Sequence, residues 1–400
     1  MKKLLLLGGA RYAIPVIEEA HKLDCKVITC DYLPENIAHR YSDGYENVSI
    51  IDKEAVLATA QKLNIDGIMS FACDPGVLTA AYVAEIMGLS NVGPYESVCI
   101  LQNKNKFREF LRSNGFRVPY SITVLNADDA LARVNEFDYP VIVKPTDSAG
   151  SKGVTKVDSS DQIKMAVEIA LNQSIVGECI IEEFLESKDY PSDSECFSVE
   201  GKLVFDSWSA QHFDPYCGNP FTPAGFTWQP SISEENRNEL KTELQRLISL
   251  LKMQTSIYNV EARETRDGKA YIMEVSPRGG GNRLAEMLGH VTGVNLIEAS
   301  VKAALGYDMA PFMFDYSLDN SWAEIILHSR KNGRYKGLSI SDRLEKAVIE
   351  KDLWVNVGDE IESFSGANKA IGTLVMRFED FDLMNRVMDN PDEYINIEVE

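Results

Sequence analysis

Short apolar runs alternate with amphipathic segments along roughly the first 100 residues of the chain. The apolar runs are bounded by polar residues or glycine, which predicts buried strands, whereas apolar positions at helical spacing predict helices. Repeated strand–helix units predict a parallel sheet, and a ligand is expected beyond the C-terminal ends of its strands. The predicted strands are Lys3–Leu7, Lys26–Cys30 and Gly67–Phe71, and the predicted helices are Ala13–Leu23, Glu54–Leu63 and Val77–Met87.

The pattern changes in the next part of the chain, where strands and helices no longer alternate one by one. A helix is predicted over Lys106–Asn114, ended by Gly115. Ser233 is predicted to cap a long helix that runs to about Lys252. Strands are further predicted at Tyr139–Pro145, Glu178–Leu185 and Lys202–His212, a hairpin at 256–278, helices near Arg283–Thr292 and Asn295–Leu305, and strand-like sequence at the C-terminal end.

The predicted hairpin carries the most informative polar residues. If Asp267 and Gly268 make its turn, Glu261 lies directly opposite Glu274. Facing carboxylates are about 5 Å apart and repel each other, so a buried pair needs a cation between them or a raised pKa. The face of Glu274 also bears Ser276 and Arg278, because side chains two positions apart share one face of a strand.

Two interpretations of that face remain open from the residues alone. A carboxylate pair suits Mg²⁺, and a guanidinium suits a phosphate. The alternative is a solvated strand face whose charges pair with nearby lysines and arginines.

Two further segments have residue types that suit a phosphate or a nucleotide. Lys144 ends a predicted buried strand and needs an anionic partner, and the loop 146–153 has small residues whose backbone N–H groups suit phosphate oxygens. The run Glu182-Glu183-Phe184-Leu185 ends another strand and offers backbone groups to an adenine. The alternatives are an ordinary turn for the loop 146–153 and an ordinary strand end for Glu182–Leu185. Lys104 is a weaker candidate, because a lysine before a helix is usually solvated.

Charge and composition exclude several classes of function. Acidic residues outnumber basic ones 61 to 40, and the net charge of −21 disfavours a nucleic-acid partner. Apolar runs stay well short of the roughly 20 residues that span a bilayer, so no membrane association is expected. The seven cysteines form no C-x-x-C pair, which favours reduced thiols in the cytoplasm over a zinc or disulfide framework.

The motifs taken in order resemble those of the ATP-grasp superfamily of ATP-dependent carboxylate–amine ligases. The resemblance covers roughly residues 1–310 and rests on a βα domain followed by Asn103-Lys104, Val-Ile-Val-Lys144-Pro, a Ser/Gly loop, Glu-Glu-Phe-Leu, Asn-Val-Glu261 and Met-Glu274-Val-Ser-Pro-Arg278. Each motif alone is a weak indicator of this superfamily, but six of them in the same order are together specific for it. The branches resembled are those of carbamoyl-phosphate synthases, purine carboxylases and amino-acid ligases.

The resemblance implies a mixed α/β and α+β fold. An N-terminal Rossmann-like parallel sheet (1–104) is expected to precede the ATP-grasp domain (105–310), with its lid at about 120–187, and a small C-terminal β-rich subdomain (311–400) is expected to follow. It also implies ATP and Mg²⁺ (or Mn²⁺) as cofactors, small-molecule carboxylate and amine substrates, a cytoplasmic location, and a homodimer, which is common in the superfamily.

The resemblance further implies a role for each motif residue. Phosphate contacts are implied for Lys104 and Lys144, catalytic contacts with the transferring phosphoryl group for Arg278 and Lys144, and substrate binding for Arg283. Glu261, Glu274 and Ser276 are the implied metal ligands, with Ser276 standing where many members have Asn. The implied nucleotide contacts are Ser148, Ser151 and Gly153 in the lid, Glu182, Glu183 and Phe184 at the adenine, and Asp189 at the ribose.

These features together predict an ADP-forming ligase that activates a carboxylate as an acylphosphate and joins it to an amine or another nucleophile. One alternative is a catalytically weak ATP-binding regulatory or assembly protein, which Ser276 favours. Another is a dinucleotide-dependent oxidoreductase, which Gly8-Gly9-Ala10-Arg11 supports poorly because it is not G-x-G-x-x-G.

Substrate contacts are less well determined by the sequence. Arg283 is a candidate partner of a substrate carboxylate, or a solvated residue at the start of a helix. The aromatic segment Trp208–Trp228 is predicted to be irregular, either a substrate loop or a surface loop packed on its own aromatic residues. Further candidate pocket residues are His212, His290, Asp74 and Arg11.

Overall fold

The computed structural model describes residues 1–147, 151–312, 314 and 316–400. A four-stranded parallel sheet with the order β3-β2-β1-β4 forms the N-terminal region, as the alternating pattern predicts. The inner strand β1 buries Leu4 to Leu7 completely, and burial of each such leucine side chain contributes roughly 1.5–3 kcal/mol to folding stability. The elements are β1 (Lys3–Leu7), α1 (Ile14–Lys22), β2 (Lys26–Cys30), β3 (Gly44–Glu46), α2 (Lys53–Leu63), β4 (Gly67–Ser70), α3 (Asp74–Met87) and α4 (Tyr95–Gln102).

A second, antiparallel sheet follows, with the strand order β5-β8-β6-β7 and two helices against it. Helix α5 begins before this sheet, and Asn103 caps it by accepting a hydrogen bond from the backbone N–H of Lys106 at 2.9 Å. This cap makes Lys104 the first helical residue. The elements are α5 (Lys104–Ser113), β5 (Ser121–Val124), α6 (Ala127–Ala132), β6 (Val141–Pro145), β7 (Thr155–Val157), α7 (Ile163–Leu171) and β8 (Cys179–Glu183).

The third region is built on an antiparallel sheet with the order β10-β9-β13-β14, which contains the predicted hairpin. Helices α8 and α4 pack on β14, whereas α9 packs on β9 and α10 on β13. The elements are β9 (Ser192–Val199), β10 (Lys202–Asp206), β11 (Ala210–Phe213), β12 (Pro223–Thr227), α8 (Glu234–Leu250), β13 (Ser256–Glu264), β14 (Ala270–Ser276), α9 (Leu284–Thr292) and α10 (Leu296–Ala304).

Three of the described C-terminal strands join β11 and β12 in a five-stranded sheet, β11-β12-β15-β19-β17, and the other three form a second sheet, β18-β16-β20. The five-stranded sheet includes two strands from the third region, so it joins distant parts of the sequence. The elements are β15 (Trp322–Leu327), β16 (Gly333–Ile340), α11 (Asp342–Glu345), β17 (Val348–Leu353), β18 (Glu360–Ile361), β19 (Gly372–Arg377), α12 (Phe381–Asp389) and β20 (Ile395–Val399).

Two predictions for residues 202–228 were wrong. The predicted strand Lys202–His212 is two strands in different sheets, because the chain leaves the hairpin sheet after Asp206. The aromatic segment Trp208–Trp228 is not an irregular loop, since β11 and β12 pair within it and β12 pairs with β15. Trp208 and Trp228 are buried in the core.

All seven cysteines are free. Among the described helices, not one combines the length and apolar character that a bilayer crossing requires.

Candidate active site

Glu261 and Glu274 face each other across β13 and β14, as predicted, but the turn between the strands differs from the prediction. Three residues, Arg266 to Gly268, make the turn, and Thr265 pairs with Lys269 through a backbone hydrogen bond of 2.9 Å. A left-handed residue is required at Gly268, whose φ is +78°. A bulge between Ala262 and Glu261 then restores the register, so that the two glutamates still meet.

The two carboxylates lie beside a lysine at the start of α5. The Lys104 ammonium is 3.1 Å from Glu274. Burial alone would lower the pKa of Lys104, but the charge of Glu274 outweighs it and raises that pKa. Glu261 is open to water yet surrounded by protein on most sides, and burial together with the charge of Glu274 raises its pKa. A further cation beside the pair would lower this repulsion.

These donors fit Mg²⁺ as it is held in nucleotide sites. The ion there takes one or two carboxylates and completes its shell with phosphate oxygens and water. Within the described residues, no three His, Cys, Asp or Glu side chains form a complete metal cage. Ser276 lies next along the strand, and its hydroxyl accepts from Gln102 Nε2 at 2.7 Å and donates to Asp74 Oδ1 at 3.0 Å. Its metal role stays a prediction.

Arg278 is held against the N-terminal region by Asp74 at the start of α3. Its Nε and Nη2 donate to the two oxygens of Asp74 at 2.9 and 2.8 Å. Burial alone would raise the pKa of Asp74, but the charge of Arg278 holds it below its usual range. The pair fixes the guanidinium at the C-terminal edge of the parallel sheet, where the strand order predicts a ligand.

A buried ion triad lies under the second sheet. Lys144 donates to Glu182 Oε1 at 2.8 Å, and Arg108 donates to both oxygens of Glu182. Burial alone would raise the pKa of Glu182, but the charges of Arg108 and Lys144 hold it at about 2. Arg108 also donates to the carbonyl of Met273, the extra residue of the hairpin bulge, at 2.8 Å. The triad therefore links Lys144 to the strand that carries Glu274.

The predicted nucleotide contacts next to this triad are spread over β8 and its following loop. Glu183 is exposed, and its backbone N–H donates to Tyr120 O at 2.9 Å. The backbone N–H of Phe184 donates to Pro140 O at 3.3 Å, and Asp189 is exposed. Their adenine and ribose roles stay predictions.

The glycine loop is described at residues 146–147 and 151–153, and the predicted contact Ser148 lies outside the described residues. Ser151 has a φ of +58° and donates through its hydroxyl to Phe221 O at 2.9 Å. Gly153 has a φ of +71°, which a side chain would strain. The loop thus contacts the segment between β11 and β12, and its lid role stays a prediction.

Sequence reasoning missed two acidic residues on β9, beside the hairpin. Asp193 pairs with Glu261 across the strands and accepts a hydrogen bond from Asn259 at 2.6 Å. Glu195 accepts a hydrogen bond from the backbone N–H of Gly280 at 2.6 Å. Burial raises the pKa of each carboxyl to about 8, and for Asp193 the charge of Glu261 adds to the effect. The alternating polar residues of Ser192–Val199 were the available signal.

The candidate substrate residues fall in two places. Arg283 ion-pairs with Glu286 and Glu350, and His290 is 3.1 Å from Glu350, so Glu350 on β17 links the two ends of α9. Arg11 lies over the ring of Trp354.

His212 lies elsewhere. It is buried against Tyr190 with ring centroids 4.0 Å apart, and burial lowers its pKa to about 4. A packing role in the core accounts for its position.

Comparison with known proteins agrees with this arrangement. The ATP-grasp domain family matches residues 137–286. Over 282 residues the chain is 24% identical to the carbamoyl phosphate synthase large chain of Thermoanaerobacter sp. (strain X514), which covers 68% of this chain and 23% of that protein. The chain therefore spans about a quarter of the length of these curated relatives.

Solved structures with the same fold cover the whole chain. An L-amino acid ligase from Bacillus licheniformis has a TM-score of 0.80 at 20% identity, covering 100% of this chain and 99% of that one. The biotin carboxylase domain of a 2-oxoglutarate carboxylase from Hydrogenobacter thermophilus, in complex with MgADP, ADP and bicarbonate, has a TM-score of 0.75 at 15% identity, covering 100% and 91%. These likenesses show that the chain shares the fold of these solved structures, and its residues 137–286 match the ATP-grasp domain family.

Proposed function

We propose that this protein is an ADP-forming ligase that uses Mg²⁺ and ATP to join a carboxylate to an amine. The facing pair Glu261 and Glu274, with Lys104 against one of them, carries the proposal. Two partly exposed carboxylates that face each other suit an ion shared with phosphates, and a solvated strand face would not place a half-buried lysine and a buried arginine near them.

The chemistry asked of the chain is charge neutralisation and positioning. A substrate carboxylate oxygen attacks the γ-phosphorus of ATP, the bond to the bridging oxygen breaks, and ADP leaves. The amine nitrogen then attacks the acyl carbon of the acylphosphate, and phosphate and a proton leave. Mg²⁺ when bound offsets phosphate charge at Glu261 and Glu274.

The chain's own cations have separate tasks in this proposal. Lys144 and Lys104 bind phosphate oxygens. When Lys144 leaves Glu182 to contact the nucleotide, Arg108 continues to neutralise the Glu182 carboxylate. Arg278, which Asp74 holds in place, has the task of contacting the transferring phosphoryl group. A guanidinium fixed before the reaction requires little reorganisation in the transition state. Exclusion of water would protect the acylphosphate.

Release of ADP and phosphate tests the proposal. The wild-type protein and Glu274→Gln are incubated with Mg-ATP and a panel of amino acids, dipeptides and small carboxylates, singly and in pairs. Wild-type release that requires a pair and produces no AMP supports an ADP-forming ligase. Nucleotide binding without release on any pair would instead support a regulatory ATP-binding protein.

A further inference from the structure

A buried carboxylate in the five-stranded sheet has no partner that would explain it. Glu324 lies on β15 between its cross-strand neighbours Phe226 and Val375, and its exposed fraction is 0%. Within the described residues, neither oxygen of its carboxyl group has a hydrogen-bond partner. An unsatisfied buried carboxyl is unfavourable, because it has lost its hydrogen bonds with water without replacing them. A ligand that donates hydrogen bonds would remove this penalty.

Arg283, whose charge acts on Glu324, makes its hydrogen bonds with other partners. Arg283 donates through Nε to Glu286 at 3.2 Å, through Nη2 to Glu350 at 2.6 Å and through Nη1 to Thr373 at 3.4 Å. It lies close enough to Glu324 to attract its charge but does not donate to it. Three carboxyl groups therefore surround one arginine.

The surroundings of Glu324 suit an organic cation. Glu286 and Glu350 repel a further negative charge, and burial with these charges raises the pKa of Glu324 well above its usual value. Tyr12 lies close by, and its ring packs edge-on against Trp354 with centroids 6.2 Å apart. Aromatic rings beside carboxylates attract ammonium groups through their faces.

The other charged members of the cluster are partly exposed to water. The side chains of Glu286 and Glu350 are 25% and 38% exposed, whereas that of Arg283 is 12% exposed. Glu324 is thus the fully buried member of a cluster of carboxyl groups whose other two members, Glu286 and Glu350, are partly exposed.

The glycine loop after Arg278 connects this cluster to the reaction centre. The backbone N–H of Gly280 donates to Glu195 on the hairpin side, and the next residue, Gly281, lies against the ring of Tyr12. The Tyr12 hydroxyl donates to Asn282 at 3.3 Å. The loop therefore has the proposed phosphoryl-transfer site on one side and the Glu324 cluster on the other.

From these contacts we infer that Glu324, with Glu286 and Tyr12, forms the subsite that binds the amine substrate as a primary ammonium ion. This inference rests on the proposed ligase function. The three N–H donors of an ammonium match the two oxygens of Glu324 and one of Glu286. An inorganic cation is disfavoured, because the described acidic residues do not converge in a metal cage.

Amine binding without turnover provides the first test. The full chain is titrated with the twenty common L-amino acids, β-alanine, ethylamine and putrescine, followed by tryptophan fluorescence, because Trp354 borders the cluster. At least one amine should saturate the signal, and Glu324→Gln should raise its Kd about tenfold or more, through loss of the ionic hydrogen bonds. Glu18→Gln, which removes an exposed charge near Glu286, is the matched control and should stay within about twofold.

A second measurement separates this inference from the proposed function. Hydroxylamine is neutral and small, so it traps an acylphosphate as a hydroxamate without the ammonium subsite. Glu324→Gln should retain hydroxamate formation and lose amide formation through a raised KM for the amine. Equal loss of both reactions, unchanged amine affinity, or no amine binding to the wild-type protein would overturn the subsite. Failure of hydroxamate formation on every carboxylate, with amine binding at Glu324 intact, would overturn only the ligase.

Discussion

Asp74 and Arg278 lie 204 positions apart in the sequence, yet two guanidinium nitrogens of one donate to both carboxylate oxygens of the other. Asp74 begins a helix of the parallel sheet region, and Arg278 follows the hairpin that carries Glu261 and Glu274. The pair therefore ties the orientation of the arginine to the contact between two parts of the fold.

Replacing Asp74 by Asn should reduce both stability and turnover. The change leaves a buried guanidinium with one neutral partner, and breaking a buried ion pair destabilises by about 3–5 kcal/mol. The kcat should fall about tenfold or more because Arg278 loses its fixed position, and the KM for ATP should change less. Urea unfolding and steady-state kinetics on the same samples measure the two effects.

The double variant Asp74→Asn with Arg278→Met separates these effects. It removes the unpaired charge as well, so stability should recover towards the wild-type value while turnover stays low. Recovery of turnover together with stability would show that Arg278 has no part in the reaction.

Glu274→Gln should remove Mg²⁺-dependent ADP formation, by about a hundredfold or more, and leave the fold intact. The amide is a poor ligand for Mg²⁺ and loses the attraction of Lys104, whereas the shape of the side chain is kept. Glu235→Gln, on an exposed face of α8, is the control for a single lost charge. Circular dichroism checks the fold, and wild-type release of ADP by the variant would disprove the metal assignment.

The hairpin shows how far the sequence determines the site. Alternation and the Asp267-Gly268 pair correctly predicted that Glu261 faces Glu274. The prediction counted residues outward from a two-residue turn, whereas the observed turn has three residues. The predicted register is still correct at Glu261, because the bulge at Met273 offsets the extra turn residue. Bulges depend on tertiary partners, here the buried Arg108 that binds the Met273 carbonyl, and a local pattern does not contain them.

Long-range partners account for the residues that the sequence did not reveal. The segment Trp208–Trp228 has many prolines and aromatic residues, yet pairing with β15 makes parts of it strands, because tertiary context overrides local propensity. Glu324 is a single polar residue in the apolar strand Trp322–Leu327, so the sequence gives no sign that it belongs to a site. Only the approach of Arg283 from α9 and Glu350 from β17 makes its environment unusual.

Lys144→Met should weaken nucleotide binding about tenfold or more. The lysine is the cation that ends β6 next to the glycine loop, and methionine retains its apolar stem without its charge. Isothermal titration with Mg-ADP measures the affinity directly. Lys164→Met, on the exposed face of α7, controls for the change in net charge, and equal affinities for all three proteins would disprove the phosphate contact.

The Glu195 carboxyl should make folding stability depend on pH in a direction opposite to that of most acidic residues. Its pKa is about 8 in the folded protein, against 4.5 for an ordinary glutamate, because burial disfavours the ionised form. Below pH 4.5 both the folded and the unfolded states hold the proton. Between pH 4.5 and 8 only the unfolded state loses it, so the free energy of unfolding falls as pH rises.

Glu195→Gln removes this titration and keeps the hydrogen bond from the backbone N–H of Gly280. Relative to wild type, the variant should therefore gain stability between pH 5 and pH 8, by up to a few kcal/mol. Asp193, whose pKa is also about 8, titrates in both proteins, so its contribution largely cancels in the comparison. Urea unfolding of both proteins at the two pH values measures the difference. A stability difference that is the same at pH 5 and pH 8 would show that Glu195 is ionised in the folded protein, and the proposed site would then hold one more negative charge for a bound cation to balance.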